Sequence, residues 1–463
     1  AKAPVHMTTE RRGITIQQIQ QLLDFVSFMV QFWTGTYGDE LGAPLTFEGF
    51  NLYHANDWVI KPATAGQHGK GCSYVELVAE VAEVQLPLWF VSHAWLEPIR
   101  LFLKCLQKHS LVRLTKSAYW VCAYANNQHN VEEDISKNPR KSSFYKAMQL
   151  CQGVLLVLDS EATPFRRIWC CFEESIAVEE RASNSLLLDV GATDDDDVAH
   201  VLTDGLAGGE SRAQPVMALL AKSRREKSFP TKLLEKGLAV NIEQASATQA
   251  ADKTSILNSI AFPRSRTIAL NSNYSTNHPS YQMVNRALAS HFALAAMYTS
   301  YLQGQDVSNL LVALQADEAR TSLQLSLTEC HEFTDEKLST LLEHLPRSLQ
   351  NLRLDLGFTG LKCFPVFPGS NIALQKLVLR FTGSLQSIVG FSTMLQHLQP
   401  SLRHLELWFS NLPFLEDLEF GPGNDSLLRL QLVELMLYVE GCPLVSKTSK
   451  QSLYDAAMTM RGR

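Results

Sequence analysis

The sequence predicts an α/β protein in two parts, a five-stranded parallel sheet with helices on both faces followed by a solenoid of short repeated strands. Three observations carry that expectation. Between residues 86 and 262, apolar runs of strand length alternate with stretches of helical periodicity. Several of those runs stop abruptly in polar residues, as buried parallel strands do where they emerge at the rim of a sheet: Leu88-Trp89-Phe90-Val91 before Ser92-His93, and Val154-Leu155-Leu156-Val157-Leu158 before Asp159. Beyond Ala319 a leucine pattern returns at a near-constant interval.

The elements follow in order. Residues 1–85 read as an N-terminal helical extension, because Ile14, Ile16, Ile19, Leu22, Leu23, Val26, Met29, Val30 and Trp33 keep the spacing of one helix face. Residues 86–262 form the α/β domain. Its expected strands are Leu88–Ser92, Ala118–Ala123, Val154–Leu158, Leu186–Val190 and Leu238–Ile242, with helices at Glu97–His109, Ser142–Leu150, Phe165–Arg181, from Asp194, at Pro215–Lys227 and at Ala247–Ile260. The acidic run Asp194–Asp197 reads as the start of a helix, where carboxylates favour the macrodipole, rather than as a metal site. Residues 263–318 are a helical connector with a helix at Tyr281–Leu302. In residues 319–463 the pattern L-x-x-L-x-L falls at Leu349, Leu352 and Leu354, at Leu374, Leu377 and Leu379, at Leu402, Leu405 and Leu407, and at Leu432, Leu435 and Leu437, with a weaker copy at Ser322, Leu325 and Leu327. Intervals of 27, 25, 28 and 30 residues lie in or near the range of leucine-rich repeats, one short strand per repeat.

Composition narrows the function. With 46% hydrophobic and 19% charged residues the chain can bury a large core. A net charge of -6, with basic residues clustered only at Lys222–Lys227, argues against a phosphate-backbone binder, so no nucleic acid is expected. The nine cysteines include no CxxC pair, so neither zinc nor redox chemistry is signalled and an intracellular, cytoplasmic setting is expected. The Ala1 start leaves room for a processed targeting segment and organellar import. The longest apolar stretch, Phe25–Trp33, is too short to span a bilayer, and no GxxxxGK[ST] loop is present.

In a doubly wound sheet, ligands bind beyond the carboxyl ends of the strands. The residues expected there are Ser92, His93 and Trp95, then Asn126, Asn127, Gln128 and His129, then Asp159, with Arg166, Trp169 and Glu173 from the following helix. Amides suit a ribose or base edge, tryptophans offer stacking faces and a carboxylate can stabilise a cationic sugar, so a nucleotide-like ligand fits the set. Each member also has a plain alternative: tryptophan as packing, His93 as a helix cap, Asn126-Asn127 as turn chemistry, Cys170 and Cys171 as inert core.

The βα order, the Ser92-His93 strand end and Trp169-Cys170-Cys171-Phe172-Glu173 resemble the Toll/interleukin-receptor (TIR) superfamily, whose third helix often carries Trp-Cys-x-x-Glu. Ser92-His93-Ala94-Trp95 also resembles heterokaryon-incompatibility domains. That segment, Tyr119 to His129 and Arg167-Ile168-Trp169-Cys170 together are similar to a large family of proteins from unicellular algae, over about residues 50–262. The resemblance implies a flavodoxin/TIR-like sheet, assigns Glu173 the place of the catalytic glutamate of NAD-cleaving TIR domains, and makes NAD a substrate rather than a bound cofactor. It also implies self-association of the α/β domain. The long second loop and the N-terminal extension depart from the TIR pattern.

The expectation is therefore an intracellular protein acting in protein–protein interaction or signalling. Its crevice cleaves the N-glycosidic bond of NAD through Glu173, and its leucine-rich repeats present Arg353, Asp355, Arg380, Glu406, Trp408 and Tyr438 to a protein partner. The alternative is a non-catalytic scaffold or accessory subunit of a larger complex.

Overall fold

The computed structural model describes residues 3–33, 45–66, 71–116, 118–131, 138–184, 186–212, 215–263, 273–364, 366–367, 372–383, 385, 391–413, 430 and 432–445. The chain divides into two compact units, Ala1–Gly209 with Ser228–Asn285, and Glu210–Lys227 with Arg286–Arg463. The N-terminal extension and most of the α/β segment thus share one unit, while residues 210–227 group with the leucine-rich part.

In the first unit, β1 (Gly13–Ile14) leads into α1 (Ile16–Met29), whose start is fixed by a Thr15–Gln18 capping box. A continuous helical run, α2, covers Leu52–Ala55, Asn56–Ile60 and Lys61–Thr64, and its middle stretch is π-helical. Then come α3 (Tyr74–Val78), β2 (Pro87–His93), α4 (Ile99–Arg113), β3 (Ala118–Trp120), α5 (Cys122–Ala125), α6 (Ser143–Leu150), β4 (Gly153–Leu158), α7 (Ile168–Asn184), β5 (Leu187–Thr193) and β6 (Ala199–Leu202). The sheet runs β1-β3-β2-β4-β5-β6. Its four central strands are parallel, and β1 and β6 close the edges antiparallel.

Strand alternation sends Trp89 and Val91 into one core with Ile19, Val26, Phe102 and Leu106, so α1 and α4 cover that face. It sends Phe90 to the other face. There Phe90 stacks on Trp120 at 4.9 Å, and Trp120 meets Phe144 of α6 edge-on at 5.2 Å. Each such buried side chain contributes about 1.5–3 kcal/mol. Behind the sheet, Asp189 of β5 accepts from Arg113 at 2.7 and 2.5 Å and lies 3.0 Å from His109, joining α4 to the β5–β6 hairpin. Burial alone would raise the Asp189 carboxyl; His109 and Arg113 hold it well below the usual range.

Three elements differ from expectation, the first being the strand expected at Ala118–Ala123, which stops at Trp120 and gives way to the helical turn Cys122–Ala125. Leu238–Ile242 is not a fifth strand: Thr231–Leu238 is a helix, Ile242–Gln244 a 3-10 turn, and the antiparallel β6 occupies that edge of the sheet. A five-residue apolar run fits a helix end as well as a strand, and packing decided between them. Nor do Asp194–Asp197 open a helix. They form the β5–β6 turn, in which Asp194 accepts from the backbone of Asp196 and Val198 and pairs with His200 at 2.7 Å, while Asp197 takes a left-handed φ of 59°.

The second unit contains α8 (Pro215–Glu226), and the boundary with the first falls inside α9 (Pro279–Leu302). After α10 (Ser308–Gln315), β7 (Ser322–Ser326), α11 (Asp335–Glu343), β8 (Asn351–Asp355), β9 (Lys376–Thr382), α12 (Phe391–His397), β10 (His404–Ser410) and β11 (Glu434–Glu440) follow. The five strands form an all-parallel sheet in sequential order, so this unit too is α/β. Register is in step: Ser322, Asn351, Lys376, His404 and Glu434 lie side by side. The hydrogen-bond ladder continues below the strands at equivalent positions, Gln350 N to Thr321 O, Gln375 N to Gln350 O, Arg403 N to Gln375 O and Val433 N to Arg403 O. Leu323, Leu352, Leu377, Leu405 and Leu435 are buried on one face, as the period requires. Among the described residues no helix is long and apolar enough to cross a membrane.

Candidate functional site

The chain leaves β2 for β3 on one side, then crosses back to place β4 on the other, so strand order reverses between β2 and β4. A crevice must open there, beyond His93 and Leu158. It does: a cleft of about 570 Å³ is lined by residues including His93, Trp95, Cys122, Asn126, Gln128, Phe144, Trp169 and Glu173. That volume lies within the usual range of small-molecule sites. The outer wall comes from α2, through Tyr53, Asn56, Asp57 and Lys61. Backbone bonds hold α2 in place, Leu52 N to Trp95 O at 3.1 Å and Ile99 N to Phe50 O at 2.9 Å.

The aromatic faces are fixed by their edges. Trp95 donates its indole N–H to Cys122 Sγ at 3.3 Å and lies 5.2 Å from the Tyr53 ring. Trp169 donates to Asp252 Oδ2 at 3.1 Å and stacks on Phe144 with centroids 5.2 Å apart. Asn126 accepts from Ser143 Oγ at 3.2 Å, and Gln128 donates to Ala123 O at 3.0 Å, so both amides brace the loop that they present to the cleft.

Glu173, one helix turn beyond Trp169, is 4% exposed, and burial pushes its carboxyl up to about 8 against the opposing pull of the Ser92 hydroxyl and the Arg167 guanidinium. β2 alternation puts Ser92 on the α7 side of the sheet, next to Glu173 and Cys170. Burial drives the His93 imidazole down to about 4, and the Arg167 charge pushes the same way. Its Nε2 stands 3.9 Å from Cys122 Sγ, while its Nδ1 has no partner. The Cys122 thiol rises to about 11, chiefly by burial. At neutral pH the cleft therefore holds a protonated acid, a neutral imidazole and protonated thiols, with Arg167 and Lys61 as its cations.

The structure gathers His93, Trp95, Asn126, Gln128, Trp169 and Glu173 from the expected set on the cleft lining, and Ser92 just behind it. The other four, Asn127, His129, Asp159 and Arg166, stand elsewhere, His129 with its Nε2 3.0 Å from Thr64 Oγ1. Asn127 donates to Gly71 O at 2.7 Å and accepts from His129 N, which is turn chemistry. Asp159 accepts from Thr163 N at 2.7 Å and closes the turn after β4. Arg166 points outward to Glu161 O, and its neighbour Arg167 lines the cleft instead. Arg166 ends a 3-10 turn, Thr163–Arg166, whereas Arg167 is extended with φ -108° and ψ 122°, so the two side chains diverge just before α7, and the Arg166-Arg167 pair was the only trace of this in the sequence. Tyr53, Asn56, Asp57 and Lys61 carried no sequence signal, since the extension lies far from the strands in the chain and reaches the rim only through tertiary packing.

The strand face of the second unit carries the other candidate surface. Asp355, Arg380, Trp408 and Tyr438 share one register row, and Arg353, Val378, Glu406 and Met436 the next. Arg353 pairs bidentately with Asp355 at 3.2 and 2.9 Å. Arg380 lies 3.9 Å from Asp355 and 3.2 Å from Glu406. The Arg380 guanidinium sits 4.6 Å over Trp408, which donates to Glu406 and stacks on Tyr438 at 3.7 Å. Burial raises the Asp355 carboxyl, and both arginines oppose the shift. Asp355 and Arg380 are buried, whereas Tyr438 is 39% exposed.

No family model, no curated protein and no solved structure matches this chain. Among the described residues no group of three or more His, Cys, Asp or Glu side chains is placed to hold a metal ion.

Proposed function

We propose that the first unit is a TIR-like, flavodoxin-order domain whose cleft binds a nucleotide and hydrolyses its N-glycosidic bond, with NAD as the substrate. The observation that carries this reading is Glu173, a buried acid in a cleft walled by aromatic faces at the point where strand order reverses. Trp95, Tyr53 or Trp169 gives the base a stacking face, and Lys61 and Arg167 suit the phosphates. The pyridinium ring is itself cationic. Bringing it beside Glu173 favours the ionised carboxylate over the protonated form. As the bond from C1′ to the ring nitrogen breaks, its electron pair leaves with neutral nicotinamide, and the carboxylate stabilises the positive ribosyl centre. Water adds at C1′ and one proton is released.

In the same proposal the second unit is a leucine-rich repeat solenoid whose strand face recognises a protein partner, with Arg353, Asp355, Arg380 and Glu406 holding Trp408 and Tyr438 as anchors. The protein acts inside the cell in interaction or signalling; nine cysteines free of disulfide bonds support a reducing compartment.

One observation favours the scaffold reading: Glu173 is almost wholly buried. Incubation of the full chain with NAD, following nicotinamide release beside a Glu173→Gln control, decides. Turnover lost in the variant supports the hydrolase. Absence of turnover, or turnover indifferent to the substitution, leaves an assembly module.

A further inference from the structure

α2 has an irregularity that ordinary packing does not require. Tyr53, Asn56, Asp57 and Lys61 all line the cleft, yet in a regular α-helix positions eight apart, such as Tyr53 and Lys61, would be splayed by about 80°. The π-helical stretch Asn56–Ile60 widens the middle of the run and restores them to one wall. Asn56 lies at the start of that stretch. It is 9% exposed, its Oδ1 has no hydrogen-bond partner, and it belongs to the cleft lining. A buried acceptor without a donor costs roughly 1–3 kcal/mol unless something supplies that donor. Five residues on, about one π-helical turn along the same wall, the Lys61 ammonium is half-exposed and only loosely paired with Asp57 at 3.5 Å.

We infer that α2 sets the ligand specificity of the cleft: Asn56 Oδ1 accepts from an N–H donor, a primary amide or an exocyclic amine, on the heteroaromatic ring seated against Tyr53 and Trp95, and Lys61 meets the ligand's phosphate. This rests on the nucleotide reading above and refines it. Acceptor-to-acceptor repulsion is the source of selectivity, because a ring that offers a carboxylate or carbonyl where the N–H should be leaves two lone-pair groups facing each other in a site with little water. Tyr53 and Trp95 fix the plane of the ring, and the backbone bonds from Phe50 and Leu52 to the loop after β2 fix the distance of Asn56 from it. The π stretch thereby converts a covering helix into a reading head.

The test is equilibrium binding to the full chain in a Glu173→Gln background, which suppresses turnover, using three ligands: NAD, its nicotinic acid counterpart, which lacks the amide donor, and its hypoxanthine counterpart, which lacks the amine donor. The expected result is that one counterpart binds about tenfold or more weaker than NAD. Adding Asn56→Ala should shrink that difference to within about threefold. The counterpart that suffers identifies whether amide or amine is read. Lys61→Ala, at a half-exposed position on the cleft wall, should weaken all three ligands about equally. Equal binding of the three ligands, or a difference that survives Asn56→Ala, overturns the inference while leaving nucleotide binding in place. No binding by any of the three removes the nucleotide reading and this one with it.

Discussion

The cleft of the first unit and the strand face of the second both bring buried polar side chains together, and they treat them in opposite ways. On the strand face, Asp355 is shared between Arg353 and Arg380, Arg380 also reaches Glu406, and Trp408 donates to Glu406. In the cleft, Asn56 Oδ1 and His93 Nδ1 have no hydrogen-bond partner, and Glu173 is neutral rather than paired with a cation. A network of ion pairs and hydrogen bonds fixes the shape of a surface in advance. Unsatisfied atoms in a cavity carry a cost that a ligand can relieve, which is what a binding site looks like before its ligand arrives.

The comparison predicts unequal consequences for removing one polar side chain. Arg380→Ala strips a buried, ion-paired cation from the ladder and should cost about 3–5 kcal/mol. Asn56→Ala removes an atom already without a partner and should move stability by less than about 1 kcal/mol. Chemical denaturation of the two variants measures both. Similar losses would mean that the cleft is as much a structural network as the ladder is.

Next in size is the pH dependence of the proposed reaction. If the carboxylate of Glu173 is the working form, kcat/KM should climb about 50-fold between pH 6 and pH 8 and level off above about pH 9, since the free-site carboxyl ionises at about 8. A flat profile with NAD would remove Glu173 from that role, whatever the fate of the cleft as a binding site.

The same carboxyl shapes stability, with a sign that can be worked out. Its folded value of about 8 lies above its ordinary value of 4.5, so in that window the folded chain holds a proton that the unfolded chain has released. Its contribution is full below about 4.5 and is lost as pH rises through about 8. His93 acts oppositely and lower down: its folded value of about 4 lies below 6.5, so its contribution fades as pH falls through that range. Between pH 6.5 and 8 the carboxyl dominates this pair, at on the order of 1.4 kcal/mol per pH unit at most. Glu97 and Glu174, raised by burial in the same way, add slope of the same sign. Urea titrations across that window should show stability falling with pH, and less steeply in Glu173→Gln.

The two regions were also unequally legible in the sequence. The ladder could be read almost residue by residue, because leucines repeating in step force the intervening side chains into register rows, and Arg353, Asp355, Arg380, Glu406, Trp408 and Tyr438 follow from counting. The inner wall of the cleft was legible for a different reason: β2 and β4 end where their apolar runs end, which places His93, Trp95 and, one helix later, Trp169 and Glu173 at the rim. Asn126 and Gln128 were found although β3 stops at Trp120 and the helical turn Cys122–Ala125 intervenes, whereas Asn127 and Asp159 looked identical in sequence and serve turns. A rim residue and a turn residue share their chemistry, and only direction separates them. Arg166 closes a 3-10 turn and Arg167 is extended, so they point apart at a helix start that sequence patterning does not fix to one residue. The α2 wall was out of reach, because contacts between Asn56 or Lys61 and the rim depend on tertiary docking of a segment with no strand of its own, and the π-helical stretch has no compositional mark.

The smallest predicted effect tests whether Tyr438 belongs to the ladder or stands ready for a partner. Its ring stacks on Trp408 at 3.7 Å, yet its face toward solvent leaves it 39% exposed, unlike buried Asp355 and Arg380 in the same row. An aromatic pair of this kind is worth about 0.5–1.5 kcal/mol beyond its buried area. Tyr438→Ala should therefore cost only about 1 kcal/mol, and Tyr438→Phe, which keeps the stack and loses only the hydroxyl contact to Met436 Sδ at 3.3 Å, close to nothing. A double-mutant cycle with Trp408→Ala isolates the pairwise part. A coupling near 1 kcal/mol places Tyr438 at the outer end of the ladder, held flat by its neighbours at little entropic cost, which is how a partner-facing anchor is pre-organised. A coupling near zero would mean that the stack is incidental, and the networked part of the face would then stop at Trp408.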